Sequence, residues 1–301
     1  MNLKAIDAAV AAYSMSADGR DGGRLAFFRK LWEVEAASAA DAPAYDLPEF
    51  ARLREWYEAG EPVLSLSPVA VDGAALAEAL ERLGACAVAE GGFSPEVVSG
   101  LLRVKWDRVV AASPLALAGE APAAYVEGLA QVLADDGMDD GCLSVALPLV
   151  LLALRSQLAG AAAAVAGELD RHGTPEPHAL HCPVCGGQAV AAQVGGAGSN
   201  QGRGKTLWCG QCGCTWEFER VRCARCGTQN QGHLHYFNIE GDEAHRLATC
   251  DECGGYVRTV YAEEVLAPFS FQVEDVVMAR LDAIALDPSF AGGMQATDRQ
   301  S

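Results

Sequence analysis

Positive charge is what this sequence is shortest of: 22 lysines and arginines stand against 40 aspartates and glutamates, a formal net charge of −18. A balance of that sign repels phosphate backbones and anionic bilayers at long range, which disfavours nucleic-acid and membrane-surface partners. An export signal is missing as well. The stretch from Met1 to Asp7 has no apolar core, and neither a twin-arginine pair nor a small-residue cleavage site follows it, so the chain is expected to remain in the cytoplasm. The longest apolar run, Cys142 to Leu154, contains Ser144 and Pro148 and stops at Arg155 and Gln157, short of the roughly 20 residues that a membrane span requires. It reads as a buried helix, with no membrane insertion.

Signatures of catalysis are lacking too. No Ser/His/Asp order, paired-carboxylate pattern or complete cofactor fingerprint is found, so autonomous catalysis is not expected. The run from Gly195 to Thr206, GGAGSNQGRGKT, misses a phosphate-binding loop by one residue, because Ser199 stands where glycine is needed. Leu207, Trp208 and Cys209 then read as a strand instead of a helix start, which makes the segment a hairpin loop.

Half of the 301 residues are apolar, enough for a substantial core. Up to about residue 172 the chain reads as seven or so helices, with Leu25, Phe28 and Trp32 on one face, Leu76, Leu80 and Leu83 on another, and Leu102, Trp106 and Val109 on a third. Ser94 before Pro95 marks a helix start and Gly137 a stop; Pro148 is expected to kink or begin the helix that ends near Asp170. Gly173, Pro175 and Pro177 break the periodicity, and β-like runs follow at Gln188 to Val194, Thr206 to Trp208, Thr215 to Arg222, His233 to Glu240 and Tyr256 to Ala262. Helical spacing returns from Phe271 to Leu286, with Val273, Val277, Leu281 and Ile284 on one side.

Eight of the eleven cysteines form a tandem repeat. Adding 41 to Cys182, Cys185, Cys209 and Cys212 gives Cys223, Cys226, Cys250 and Cys253, and glycine follows the second cysteine of every pair, at Gly186, Gly213, Gly227 and Gly254. In an unexported chain paired thiols point to metal ligands or redox chemistry before disulfides. A Cys-x-x-Cys-Gly turn aims two sulfurs and the surrounding N–H groups at one ion, with glycine taking a backbone angle that side chains resist. Two such knuckles complete a tetrahedron, so two tetrathiolate sites are predicted. The simplest pairing is sequential, a crossed one being also open, and four thiolates suit zinc and a rubredoxin-like iron alike. The predicted fold class is α+β: an all-helical N-terminal domain over 1–175, two tandem rubredoxin-like or zinc-ribbon modules over 178–217 and 218–265, and a C-terminal helix and tail over 268–301.

Within residues 182–262 seven basic and seven acidic side chains balance, and four thiolates on a divalent ion add two negative charges per site, so the loaded modules are acidic and nucleic acid is not an expected partner. Cys214 is surplus to the eight ligands and reads as a packing residue or an accessible thiol. Cys86 and Cys142 read as core. His233 and His235 alternate on one strand face and read as solvated or partner-facing. Trp216, Phe218, Tyr236 and Tyr256 cluster around the metal turns, as a binding surface or as the modules' own core.

The run LWCGQCGCTWEFERVRCARC from Leu207 to Cys226, with CPVCG at 182–186, HLHYF at 233–237 and CDECGGY at 250–256, resembles the formate dehydrogenase accessory protein family, FdhE. The resemblance spans roughly residues 180 to 290 and includes Trp216, Arg220, Tyr236 and Tyr256 between the cysteines. It implies a cytoplasmic, non-enzymatic maturation factor that binds the catalytic subunit of a molybdenum-dependent formate dehydrogenase before export. It also implies iron as the native metal, with zinc as the substitute, and a client surface for which Cys214, Trp216, Arg220, Tyr236 and Tyr256 are the candidates. Two departures accompany it: Ser289 to Ser301 replaces the family's basic tail, and the Gly195 to Gly204 loop is longer. A rubredoxin-like electron carrier and, behind it, a nucleic-acid-binding zinc ribbon are the competing readings.

Overall fold

Ten α-helices occupy the described residues up to His172: α1 (Leu3–Ser14), α2 (Gly22–Ala39), α3 (Phe50–Ala59), α4 (Val63–Leu66), α5 (Gly73–Glu90), α6 (Pro95–Arg103), α7 (Trp106–Ala112), α8 (Ala116–Glu120), α9 (Pro122–Asp135) and α10 (Asp140–His172). The computed structural model describes residues 1–14, 21–195, 204–265 and 268–286. Two compact units result, one built from Met1–Leu3, Ala26–Ala189 and Trp208–Trp216, the other from Lys4–Leu25, Val190–Leu207 and Glu217–Ser301.

In the first unit, helix starts are written in side chains. Asp72 accepts from the N–H of Ala74 at 2.8 Å, Ser94 from Val97 at 3.4 Å and Asp139 from Cys142 at 2.9 Å, each satisfying an N–H that has no partner within the helix. Gly137, with φ of 86°, follows α9 as expected of a stop. The structure has more helices than the periodicity suggested, because α4 and α8 are too short to show a period and the chain breaks at Val104 and Lys105 between α6 and α7. That break overturns one expected face. Trp106 and Val109 are buried, whereas Leu102 is 63% exposed, since it belongs to a different helix and the three-to-four-residue spacing does not carry across the interruption.

The core of this unit is α10, packed by α3, α5, α6 and α9. Leu149, Val150, Ala153, Leu154, Leu158 and Val165 are buried along it. Pro148 lies inside the helix instead of beginning it, tertiary packing outweighing the one backbone hydrogen bond that proline removes. By length and composition α10 is the one helix among the described residues able to cross a bilayer, yet 61% of its most apolar window is buried inside the protein. Arg155, Ser156 and Gln157 are buried in its middle, as suits a core helix.

The strands are β1 (Ala191–Val194), β2 (Gly204–Trp208), β3 (Thr215–Glu219), β4 (Leu234–Asn238), β5 (His245–Cys250) and β6 (Tyr256–Tyr261), in one sheet ordered β3-β2-β1-β6-β5-β4. Strands from both copies of the cysteine repeat therefore share a sheet. They join through a parallel pair, β1 on β6, with Ala191 opposite Arg258; β4 and β6 flank β5 antiparallel, with Leu234 opposite Cys250 and His245 opposite Val260. Five of the six strands lie where the sequence placed them, and β5 was not foreseen. The expected C-terminal helix is two short ones, α11 (Phe271–Val277) and α12 (Ala279–Ala285), meeting at Met278; Val273, Val277 and Leu281 are buried. The fold class is α+β, with both four-cysteine clusters in the C-terminal region.

Candidate metal centre

Each knuckle closes on itself through two backbone hydrogen bonds. In the first, Gly186 N–H donates to Cys182 O at 2.9 Å and Cys182 N–H to Gly187 O at 2.8 Å; in the second, Gly213 N–H donates to Cys209 O and Cys209 N–H to Cys214 O, both at 2.9 Å. Gly186 and Gly213 have φ of 75° and 79°, the left-handed region that explains the glycine after each pair. These turns bring Cys182, Cys185, Cys209 and Cys212 together, all buried, with their sulfurs within 4.8 Å of one another. The closest pairs are Cys182 with Cys212 at 3.6 Å and Cys185 with Cys209 at 3.5 Å. Four sulfurs placed tetrahedrally at about 2.3 Å from an ion would stand about 3.8 Å apart, so the cage has the dimensions of a loaded site.

The helical elements of the same unit hold this cage. Val63 and Leu64 N–H groups donate at 2.9 Å to the carbonyls of Pro183 and Val184, inside the first knuckle. Arg155 grips Glu35 with two hydrogen bonds, at 2.6 and 2.8 Å, and donates a third at 3.0 Å to the carbonyl of Gly210, inside the second knuckle. Its guanidinium also lies 5.7 Å from the ring centre of Trp208. Trp216 donates its indole N–H to Ala179 O at 2.9 Å, and the Ala179 N–H donates to Tyr57 Oη at the same distance.

The second cluster repeats the geometry. Gly227 N–H reaches Cys223 O at 3.0 Å and Gly254 N–H reaches Cys250 O at 2.8 Å, while Cys223 and Cys250 donate to Thr228 O and Gly255 O. Cys223 and Cys253 stand 3.9 Å apart, Cys226 and Cys250 3.8 Å. The grouping is sequential in both clusters, 182/185/209/212 and 223/226/250/253. Their covers differ, however: Cys223 and Cys250 are buried, Cys226 and Cys253 exposed.

The thiols are poised unequally. Burial pushes Cys182 well up, whereas hydrogen bonds from Cys182, Cys185 and Cys212 hold Cys209 well below the ordinary thiol range. In the second cluster burial pushes Cys250 up to about 12; at Cys223 burial acts in the same sense but N–H donors, among them Arg225 N at 3.3 Å, prevail and lower it. Four crowded sulfurs share few negative charges unless a cation neutralises them, and a divalent ion would take all four as thiolates. The donor set and its spacing fit such an ion.

Of the residues proposed for a partner, Cys214 and Trp216 are buried at 2% and 5% exposure, Arg220 is exposed, and Tyr236 is 43% exposed with its ring edge-on to Tyr261. The Cys214 thiol is held down to about 6, chiefly by hydrogen bonds with Cys182 and Cys212. Tyr256 is partly covered and donates to Asp282 at 3.0 Å. Cys142 is buried and Cys86 only partly so. His233 sits on a 3-10 turn, Gln231–His233, and not on the strand; it faces Glu252 at 3.4 Å, and His235 on β4 faces Asp251 at 2.9 Å. The middle of the glycine-rich loop, 196–203, and the tail from 287 lie outside the described residues.

One polar cluster escaped the sequence reading. In the second unit His245 is sandwiched between Asp242, at 2.8 Å from Nδ1, and Glu274, at 2.9 Å from Nε2, while Tyr13 donates to Glu274 at 2.8 Å and Arg280 pairs with Asp242. Burial works against the imidazolium, but hydrogen bonds to the two carboxylates outweigh it and raise His245 to about 9. The members lie on α1, β5, α11, α12 and the turn before β5, so no local spacing could have announced them.

No family model matches the chain. Among curated proteins it is 35% identical over 85 residues to Protein FdhE of Escherichia coli O1:K1 / APEC, and equally to Protein FdhE of Shigella boydii serotype 18 (strain CDC 3083-94 / BS512). The matched stretch takes in 28% of this chain and 26% of each relative, so the chain spans about a quarter of the length of the curated relatives it matches. Among solved structures, the crystal structure of the FdhE protein from Pseudomonas aeruginosa superposes with a TM-score of 0.57 at 19% identity, covering 95% of this chain and 92% of that one. The fold is shared along nearly the whole length.

Proposed function

We propose, from the local match to FdhE proteins and the shared fold, that this chain is a cytoplasmic accessory protein of the FdhE kind that binds the catalytic subunit of a molybdenum-dependent formate dehydrogenase before its export, and is not itself an enzyme. The observation that carries the reading is the convergence of eight cysteines into two four-sulfur cages of metal-holding dimensions within an FdhE-like fold. Cys182, Cys185, Cys209 and Cys212 hold one ion and Cys223, Cys226, Cys250 and Cys253 the other, as tandem modules over 178–217 and 218–265. Iron is the expected native metal, and zinc occupies the same tetrahedral thiolate sites. Arg220, Tyr236 and Tyr256 are the client-facing candidates with solvent access.

The exposure of Cys226 and Cys253 favours one second reading, a rubredoxin-like electron carrier, because an accessible tetrathiolate iron suits electron exchange. Deleting the gene in its own host separates the two. An accessory role predicts that formate dehydrogenase activity disappears while its catalytic polypeptide is still made, and that the intact gene restores activity. Unchanged activity in the deletion strain would overturn the proposal.

A further inference from the structure

The two cages are built from the same repeat, so a residue and its counterpart 41 positions later can be compared directly. In the first cage every thiol is buried and both knuckles are braced. A methyl group placed on Gly186 would lie 2.9 Å from Pro62 Cγ, and one on Gly213 would lie 3.7 Å from Arg155 Cδ. Backbone donors at Val63 and Leu64, and the Arg155 side chain, fix the carbonyls of Pro183, Val184 and Gly210. In the second cage Gly254, the counterpart of Gly213, has open space where a side chain would project. Cys226 and Cys253, the counterparts of Cys185 and Cys212, are exposed where those two are 7% and 0% accessible.

Resting on the four-thiolate reading above, we infer that the two sites divide the work: the first cage is a permanent structural staple, and the second is an exchangeable site through which an ion enters, leaves or takes a sulfur ligand from a partner. Cys226 and Cys253 are the ligands that release. Loss of a thiolate-bound ion proceeds by protonation of a sulfur or its replacement by an incoming donor, and both need solvent at the sulfur. In the second cage one ligand of each knuckle meets that condition while its buried mates, Cys223 and Cys250, retain the ion. The departing thiolate gains a proton and the incoming soft donor supplies the electron pair in its place, so no oxidant or reductant is required.

The test uses the full-length protein loaded with zinc alone, mixed with excess EDTA while bound metal is followed over time. Two ions per chain are expected, one leaving at least tenfold faster than the other. The C226S/C253S variant should retain a single ion that leaves at the slow rate. In parallel, brief treatment of the wild-type loaded protein with iodoacetamide should modify Cys226 and Cys253 before any of the four first-cage cysteines. Equal rates for both ions, a fast phase that survives in the variant, or first modification within the first cage each overturns the inference while leaving the two-site reading intact. Protein that takes up no zinc at all overturns the four-thiolate reading itself.

Discussion

Arg155 offers the sharpest test of how the helical core and the first cage are joined within one unit. Its side chain is 7% exposed, that of Glu35 is 2% exposed, and they meet through two parallel hydrogen bonds at 2.6 and 2.8 Å. Replacing Arg155 by Met keeps the helix and much of the volume but leaves the Glu35 carboxylate buried without its cation, which costs about 3–5 kcal/mol by analogy with other broken buried pairs. The Gly210 carbonyl loses its donor as well, adding about 1 kcal/mol. Replacing Glu35 and Arg155 together by Met removes both charges, so most of the first cost should vanish, while the losses at the Gly210 carbonyl and the Trp208 ring remain. All five tryptophans, Trp32, Trp56, Trp106, Trp208 and Trp216, lie in this unit, so urea unfolding followed by tryptophan fluorescence reports on it selectively. The double-mutant cycle should give a coupling of about 3 kcal/mol. An R155M variant within about 1 kcal/mol of wild type, or a negligible coupling, would refute the claim that this pair is held as a desolvated unit.

Two further perturbations address the rest of the fold. Because His245 is raised from 6.5 to about 9, its contribution to stability is fully present below pH 6.5 and is lost as pH rises through about 9, a change of about 3 kcal/mol at about 1.4 kcal/mol per unit. Amide exchange in α11, corrected for the base-catalysed intrinsic rate, should therefore accelerate over that window in wild type and lose this dependence in His245→Asn. An imidazole that titrates near or below 6.5 by NMR would contradict it. Gly119→Ala places a methyl group 1.8 Å from the Val69 carbonyl oxygen, so the backbone must move, and thermal unfolding should show a loss of about 1–3 kcal/mol; an unchanged midpoint would contradict that close approach.

The cages and the helices were legible for different reasons. Which cysteines pair in a knuckle, and the knuckle geometry, follow from a fixed local spacing, with Gly186, Gly213, Gly227 and Gly254 adopting the positive φ that their position implied. Sequence left sequential and crossed pairing open, because that choice depends on how the strands between knuckles fold back. Strand β5 was missed since two of its four buried positions, His245, Leu247, Thr249 and Cys250, carry His and Thr, so the usual alternation of apolar and polar does not show. Helical faces failed only where a face was drawn across a break, at Leu102. The His245 cluster was invisible because it joins residues more than 230 positions apart, Tyr13 with His245 and Glu274. The unequal exposure of the two cages was equally unreadable, since the repeat is the same and only the packing around it differs.

The accessory role itself is tested most directly by tagging the protein in its own host, grown anaerobically, and identifying by mass spectrometry what stays bound through purification. The account predicts recovery of the catalytic subunit of a molybdenum-dependent formate dehydrogenase, dependent on the metal cages. A protein that emerges consistently without that subunit, under conditions where the enzyme is being made, would contradict it.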